Sequence, residues 1–385
     1  MKPTAKLISA RDVFDNPSTP RAIVILLFAF GAAQFFVQSE PGIPELLFPL
    51  LLLFITQRAI LHPAQLLLLA SGFVALTLEF LTFRTTTWSI ISIYLALAGI
   101  TFHSIALRYN AIECVRAFVL GGAAGAGASL AALLTPVGPT LYRYGIRFEG
   151  FFMDPNVTAP TGAFFAVLAL LLPGRWKWAG VFPLLVFVLA ISRATFLAAG
   201  IALLYLLIAR YRYLIPFAIV AAPVAALSID GILALINEGF SAAGRGSIIN
   251  YYDEDRTSNW EFLLRQTWDR GAPLGPTYSD RLYGTGEGIS AHSTYLRLLV
   301  EQGPLALVLF VGALLIAWRS TRHPVIRATL LLLAVNGAVI DATHWRVLFL
   351  AVAIALVYPD IASHMKPGSR RLARATRGTG RRPSR

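Results

Sequence analysis

Long apolar runs interrupted by Pro, Gly and Arg set the pattern of this chain. In the first half they cover residues 22–38, 43–56, 64–81, 88–107, 111–134 and 157–172. In the second half they cover 178–192, 194–209, 214–229, a broken segment 293–318, 326–340 and 347–358. Stretches of about 17 to 25 apolar residues match the hydrocarbon core of a bilayer, and 88–107 and 111–134 reach that length. The pattern predicts an all-α, polytopic integral membrane protein with about twelve transmembrane helices, within a range of about ten to twelve. The runs 43–56 and 347–358 are among the shortest. The Gly/Ala run 121–128 has the small residues of a close helix-packing surface.

Polar positions divide the chain further. A basic N-terminus (1–21) precedes a first run too long for a usual signal peptide and is read as cytoplasmic. Nine spans follow (22–236), with an outer motif loop at 135–156. A long extracytoplasmic loop (237–291), rich in Gly, Asp, Glu, Arg and Tyr, separates spans nine and ten, so extramembrane chemistry is expected there. Three more spans (292–358) lead to a basic cytoplasmic tail (359–385).

Composition supports the bilayer as solvent. The chain is 56% hydrophobic and 14% charged, with mean hydropathy +0.65, where a soluble domain is about a quarter charged. The net charge of +13 does not point to nucleic acid, because Lys366–Arg385 alone holds eight basic residues and no acid. Beside a last span, such a tail anchors topology and touches anionic lipid. Cys114 is the single cysteine, which excludes an intrachain disulfide and a multi-cysteine metal site.

With the N-terminus inside, alternation puts Arg58, Arg108, Arg175, Lys177, Arg210, Arg212, Arg319, Arg322 and Arg327 in cytoplasmic turns, as the positive-inside rule requires. The basic residues left outside are all arginine: Arg84, Arg143, Arg147, Arg193, Arg245, Arg256, Arg265, Arg270, Arg281, Arg297 and Arg346. Guanidinium stays charged and matches phosphate bidentately, so an outward arginine set suits a diphosphate. The plainer reading pairs several of them with Asp253, Glu254, Asp255 or lipid headgroups.

Four positions apart, Arg143 and Arg147 would share one face of a helical turn and converge on an anion. Asp154-Pro155-Asn156 is a turn signal, and Asn156 is a candidate cap for the next helix. Arg193 stands at the outer junction of spans seven and eight. His292, at the re-entry of the long loop, is the outer side chain best suited to proton exchange near neutral pH; Tyr295, Arg297 and Glu301 follow it at helical spacing. Asp253, Glu254 and Asp255 could ligate a hard cation, but consecutive acids do not converge, so no metal or cofactor is expected.

In order, Arg147-x-x-Gly150 leads to Pro155-Asn156, Ser192-Arg193 opens a span, Arg256 precedes Trp260 by four, and Ala291-His292 is followed by Tyr295-Leu296 and Glu301-x-Gly303. From Arg143 to about Trp318 the chain thereby resembles the O-antigen ligases and polymerases of bacterial envelope polysaccharide synthesis, a family that includes exopolysaccharide polymerases. It departs from the family at Ser293, where asparagine is common, and at Met153-Asp154. The resemblance implies a metal-independent membrane glycosyltransferase of the bacterial inner membrane. Such an enzyme moves a glycan from undecaprenyl diphosphate to an acceptor hydroxyl on a glycan or lipid A core. His292 would be the base and Arg147, Arg193, Arg256 and Arg143 the diphosphate ligands, with Asn156, Gly150, Tyr295 and Arg265 in support. Rival readings are a transporter or flippase of an anionic lipid-linked substrate, which would carry ionisable groups at broken helices within spans, and a non-catalytic scaffold.

Overall fold

The computed structural model describes residues 19–37, 43–54, 59–82, 87–143, 147–152, 154–211, 248–275, 293–340 and 346–357; for Arg143 and Arg256 only the backbone is described. The expected span 214–229, most of the 237–291 loop, His292 and both termini lie outside these residues.

Helices dominate, in the order α1 (Arg21–Ala33), α2 (Ile43–Leu52), α3 (Pro63–Thr82), α4 (Thr87–Arg108), α5 (Ala111–Ala131), α6 (Pro155–Leu168), α7 (Val181–Ala190) and α8 (Arg193–Arg210). After them come α9 (Ile248–Arg270), α10 (Thr294–Arg297), α11 (Pro304–Ser320), α12 (Pro324–Val339) and α13 (Arg346–Val357). Three segments are long and apolar enough to cross a membrane: Ile90–Arg108, Ala111–Leu134 and Arg193–Arg210. Seven further apolar helices have 10–17 residues. At 1.5 Å per residue, the 12 residues of α13 span only about 18 Å of a core roughly 30 Å thick. Among the described residues, three helices are therefore candidate crossings by length and composition.

The described residues are mostly helical, as expected, with two short strand pairs besides: β1 (Phe36–Val37) pairs in parallel with β4 (Phe151–Phe152), and β2 (Tyr142–Arg143) pairs antiparallel with β3 (Arg147–Phe148). Within the stretch 237–291, the 23 residues of α9 form a helix. Leu263 of α9 is buried with Leu274 and Val300, and the Leu274 amide donates to the Val300 carbonyl at 2.7 Å. The helix is thus anchored to the segment that follows His292.

The bundle is organised around α1, α4, α5, α6 and α13. In α13 every residue from Val347 to Val357 is buried, the signature of a helix enclosed on all sides. Glycines let α1 and α5 meet backbone to backbone. A Cβ on Gly121 would stand 1.9 Å from the Phe28 carbonyl oxygen, one on Gly31 2.1 Å from that of Phe118, and one on Gly125 2.3 Å from that of Ala32. Backbone approach this close maximises dispersion contacts between the two helices, the kind of small-residue seam that membrane helices use. Beside the seam, Phe118 packs against Phe102, Phe164 and Phe165 with ring centroids 5.1 to 6.3 Å apart.

Cross-contacts define two ends. Thr195, in the first turn of α8, meets Asn336 near the end of α12. At the other end of α8, Tyr205 packs on Trp318 of α11, centroids 5.4 Å apart. The strands, Asn156, Arg193 and α10 therefore share one end. The turns after α6, α8 and α11 share the other.

Gly121→Val should lower the thermal unfolding midpoint in detergent, corresponding to about 1–3 kcal/mol or more of overpacking. Gly127→Ala should be neutral within about 0.5 kcal/mol, because its Cβ would meet only the Phe182 ring, at 3.7 Å. Equal midpoints for the two variants would contradict the seam.

Candidate functional site

The 135–156 loop folds as a hairpin and a turn that aim one arginine. Arg143 and Arg147 stand opposite each other across β2 and β3, so they are a cross-strand pair and not neighbours on a helical face. Aromatic residues at 142 and 148 favour the extended backbone here. Phe148 is fully buried, and its ring meets Tyr142 edge-on at 5.7 Å. The Glu149 and Gly150 amides then both donate to the Leu141 carbonyl, at 2.9 and 3.2 Å. Gly150 has φ +60°, and a Cβ there would stand 2.7 Å from Ser129 Oγ. Both the left-handed backbone and the close approach demand glycine.

The cap of α6 is Asp154, not Asn156. Asp154 Oδ1 accepts the Asn156 amide at 2.8 Å, with Pro155 at the first helical position, the arrangement that suits a missing amide and a free carboxylate. Asn156 is thereby released for another task. Its Oδ1 accepts Arg147 Nη2 at 2.9 Å, while Arg147 Nε donates to the Ala190 carbonyl at 3.3 Å. A guanidinium held at two edges has little rotational freedom.

Past Ala190 the backbone is strained. Ile191 has φ +48°, costly for a β-branched residue, and the turn it makes carries Ser192 and Arg193 into α8. Ser192 Oγ donates to Asn156 Oδ1 at 3.5 Å and accepts from Thr195 Oγ1 at 3.1 Å. Thr195 Oγ1 in turn accepts from Asn336 Nδ2 at 3.0 Å. A polar file thus runs Arg147, Asn156, Ser192, Thr195, Asn336 through an otherwise apolar interior. Asn336 is fully buried, and its Oδ1 has no hydrogen-bond partner among the described residues. Arg193, half-buried at the first position of α8, has no hydrogen bond or ion pair among the described residues.

The second half of this end comes from the broken segment. Ser293 caps α10 by accepting the Leu296 amide at 3.4 Å. Thr294 Oγ1 donates to the Ile340 carbonyl at 3.1 Å and Tyr295 OH to that of Ala334 at 2.8 Å. Both acceptors flank Asn336 on the same stretch of chain, so α12 backs both halves. A π turn at Leu298–Gln302 follows, ended by Gly303 with φ +87°, the break that Gly303-Pro304 foretold. Arg297 Nε bonds Glu301 Oε2 at 3.0 Å, with side chains only 12% and 3% exposed.

Several of the arginines expected on the outer side are committed to carboxylates. Besides Arg297, Arg346 of α13 pairs with Glu45 of α2, both largely but not fully buried, and the Glu45 carbonyl accepts from Tyr94 OH. Arg265 pairs with Glu261 at 2.5 Å, but with side chains 74% and 63% exposed the pair contributes little. Tyr295 is used in packing, and Arg265 points along its own helix rather than to the Arg147 cluster. Arg256 lies in α9, two turns before Leu263. His292 and the side chains of Arg143, Arg256, Asp253, Glu254 and Asp255 fall outside the described residues. Within the described residues no three His, Cys, Asp or Glu gather as a metal site.

Sequence reading missed Asp154 as the cap, the Ser192–Thr195–Asn336 file and the Glu45–Arg346 pair. The one available signal was Asn336 itself, an amide inside the apolar run 326–340. In comparisons with known proteins, the chain matches no family model and no curated sequence.

Arg346→Leu alone should cost about 3–5 kcal/mol by stranding the Glu45 charge, while the double variant Glu45→Leu/Arg346→Leu should recover most of it. Chemical unfolding in detergent reads both. A double variant no more stable than the single one would show that Arg346 does something other than neutralise Glu45.

Proposed function

We propose that the chain is a membrane glycosyltransferase of the O-antigen ligase and polysaccharide polymerase type. It would take a glycan from an undecaprenyl-diphosphate donor and pass it to an acceptor hydroxyl on the outer face of the bacterial inner membrane. Twelve spans with both termini cytoplasmic would set its topology. The observation that carries the reading is the fixed Arg147, held by Asn156 and the Ala190 carbonyl. It lies at the same end as Arg193 and as Ser293–Tyr295, the residues directly after His292.

The chemistry follows from these groups. The acceptor oxygen attacks the anomeric carbon, the bond from that carbon to the diphosphate oxygen breaks, and the electron pair leaves with undecaprenyl diphosphate. Arg147 and Arg193, with Arg256, would stabilise the charge growing on the diphosphate, and arginines fixed beforehand need no reorganisation as it grows. The acceptor proton passes to His292 as general base. No metal or cofactor enters these steps. Partners are then the polyprenyl-linked glycan, a glycan or lipid A core acceptor and membrane lipid.

One observation favours a second reading, transport of an anionic lipid-linked substrate. The buried Arg297–Glu301 pair sits in a broken helix with a π turn, where transporters keep ionisable groups. Reconstituted vesicles in which lipid-linked substrate crosses without glycan transfer would favour it.

With purified protein and lipid-linked oligosaccharide, His292→Ala should abolish transfer and keep donor binding. Arg147→Lys keeps the charge but not both hydrogen bonds, and should lower turnover by about 10²–10³-fold. Longer chains in the product would mark a polymerase and transfer to lipid A core a ligase; unchanged turnover in His292→Ala would sink the base assignment.

A further inference from the structure

The end of the bundle opposite Arg147 carries a different chemistry. After α6 the chain forms a seven-residue 3-10 helix, Gly174–Gly180, whose sequence is GRWKWAG. Arg175, Trp176, Lys177 and Trp178 are all exposed, the two indoles by 52% and 76%. The segment is nevertheless anchored, because Gly180 is buried so closely that a Cβ would stand 2.7 Å from Ala169 Cβ. Large exposed indoles on a fixed turn call for an outside partner.

Neighbouring turns repeat the arrangement. The Arg175 guanidinium carbon lies 6.0 Å from the Trp176 ring, that of Arg210 5.6 Å from the Tyr211 ring, and that of Arg327 5.4 Å from the Trp318 ring. The Tyr205–Trp318 contact ties the α8 and α11 turns to one side. Positive charge dominates these turns: between Asp154 and Asp230 the sequence has no acid, and of its basic residues Arg175, Lys177 and Arg210 stand at this end while Arg193 stands at the other. The exposed acid described at this end is Glu113, in the first turn of α5. Burial holds His62 and His323, at the same end, below the usual histidine range. The positive charge therefore rests on arginine and lysine.

Directly beyond each basic and aromatic turn the surface becomes apolar. On α7 it passes to Phe182, Leu184 and Leu185, exposed by 45–48%, and on α8 from Arg210 back to Leu207 and Leu203. A ligand that meets cations first, indole next and aliphatic surface last is an amphiphile with an anionic head. A soluble phosphate or a nucleic acid would satisfy only the first layer.

We propose that this end is a docking surface for anionic phospholipid, with the Arg175–Trp178 turn and the Arg210–Tyr211 and Trp318–Arg327 pairs seating headgroups at the leaflet facing away from the Arg147 site. The surface rests on the membrane reading of the chain and not on glycan transfer. It gives the turn after α6 a fixed depth, and through α6 it fixes how far Asn156 stands from the opposite leaflet.

The test uses the full chain in nanodiscs of phosphatidylcholine containing phosphatidylglycerol, with tryptophan quenching by a brominated form of either lipid. Brominated phosphatidylglycerol should quench more than brominated phosphatidylcholine at equal mole fraction, and salt should narrow the difference. Arg175→Gln/Lys177→Gln should reduce the lipid preference roughly tenfold, Trp176→Phe/Trp178→Phe should lower the difference in quenching between the two lipids while Trp318 keeps part of it, and free glycerol phosphate should not compete. Equal quenching by the two lipids in the unaltered protein would overturn the proposal, whatever the variants do. So would competition by glycerol phosphate, which would mean a soluble anion site.

Discussion

The glycine seam between α1 and α5 is the constraint from which the Arg147 end is built. Because Gly31, Gly121 and Gly125 allow main-chain contact, α1 runs along α5 at a spacing no larger side chain permits. The end of α1 then delivers Phe36 and Val37 as a strand alongside Phe151 and Phe152, with Phe36 and Phe151 stacked at 5.0 Å. That pairing fixes the residues just before Asp154. The Asp154 cap starts α6, α6 presents Asn156, and Asn156 holds Arg147. A seam of backbone contacts far from any charge thus sets the position of a guanidinium.

Polar groups inside the bundle obey a second rule, that each donor must find an acceptor where water is scarce. The file from Arg147 to Asn336 satisfies it link by link for its donors, leaving one acceptor, Asn336 Oδ1, without a donor among the described residues. Such a file is costly unless complete, and its location between α6, α8 and α12 couples the two halves of the site. The same α12 segment accepts from Thr294 and Tyr295. A shift of α12 would be felt on both sides.

Much of the helical pattern was legible in the chain, because apolar runs between Pro, Gly and Arg report burial directly. The edges of α4, α5 and α8 fall within a residue or a short 3-10 turn of the runs that announced them, and the break at Gly303-Pro304 is where glycine and proline require it. The candidate site was legible only as a set of residue types. Helical spacing placed Arg143 and Arg147 on one face, but aromatic neighbours at 142 and 148 won and made them strand partners. Asn156 looked like the cap because it precedes an apolar run; Asp154 takes that place because Pro155, lacking an amide, fits the first helical turn.

The sequence by itself determined that the chain is apolar and helical and where many of the turns fall, since these depend on side-chain chemistry and local backbone freedom. Tertiary structure decided which arginines are spent on carboxylates, which one is clamped by an amide and a carbonyl, and that α13 lies at the centre. Those outcomes depend on contacts between residues as far apart as Glu45 and Arg346 or Thr195 and Asn336. Local pattern carries no record of such distances, because it is the packing of whole helices that brings them together.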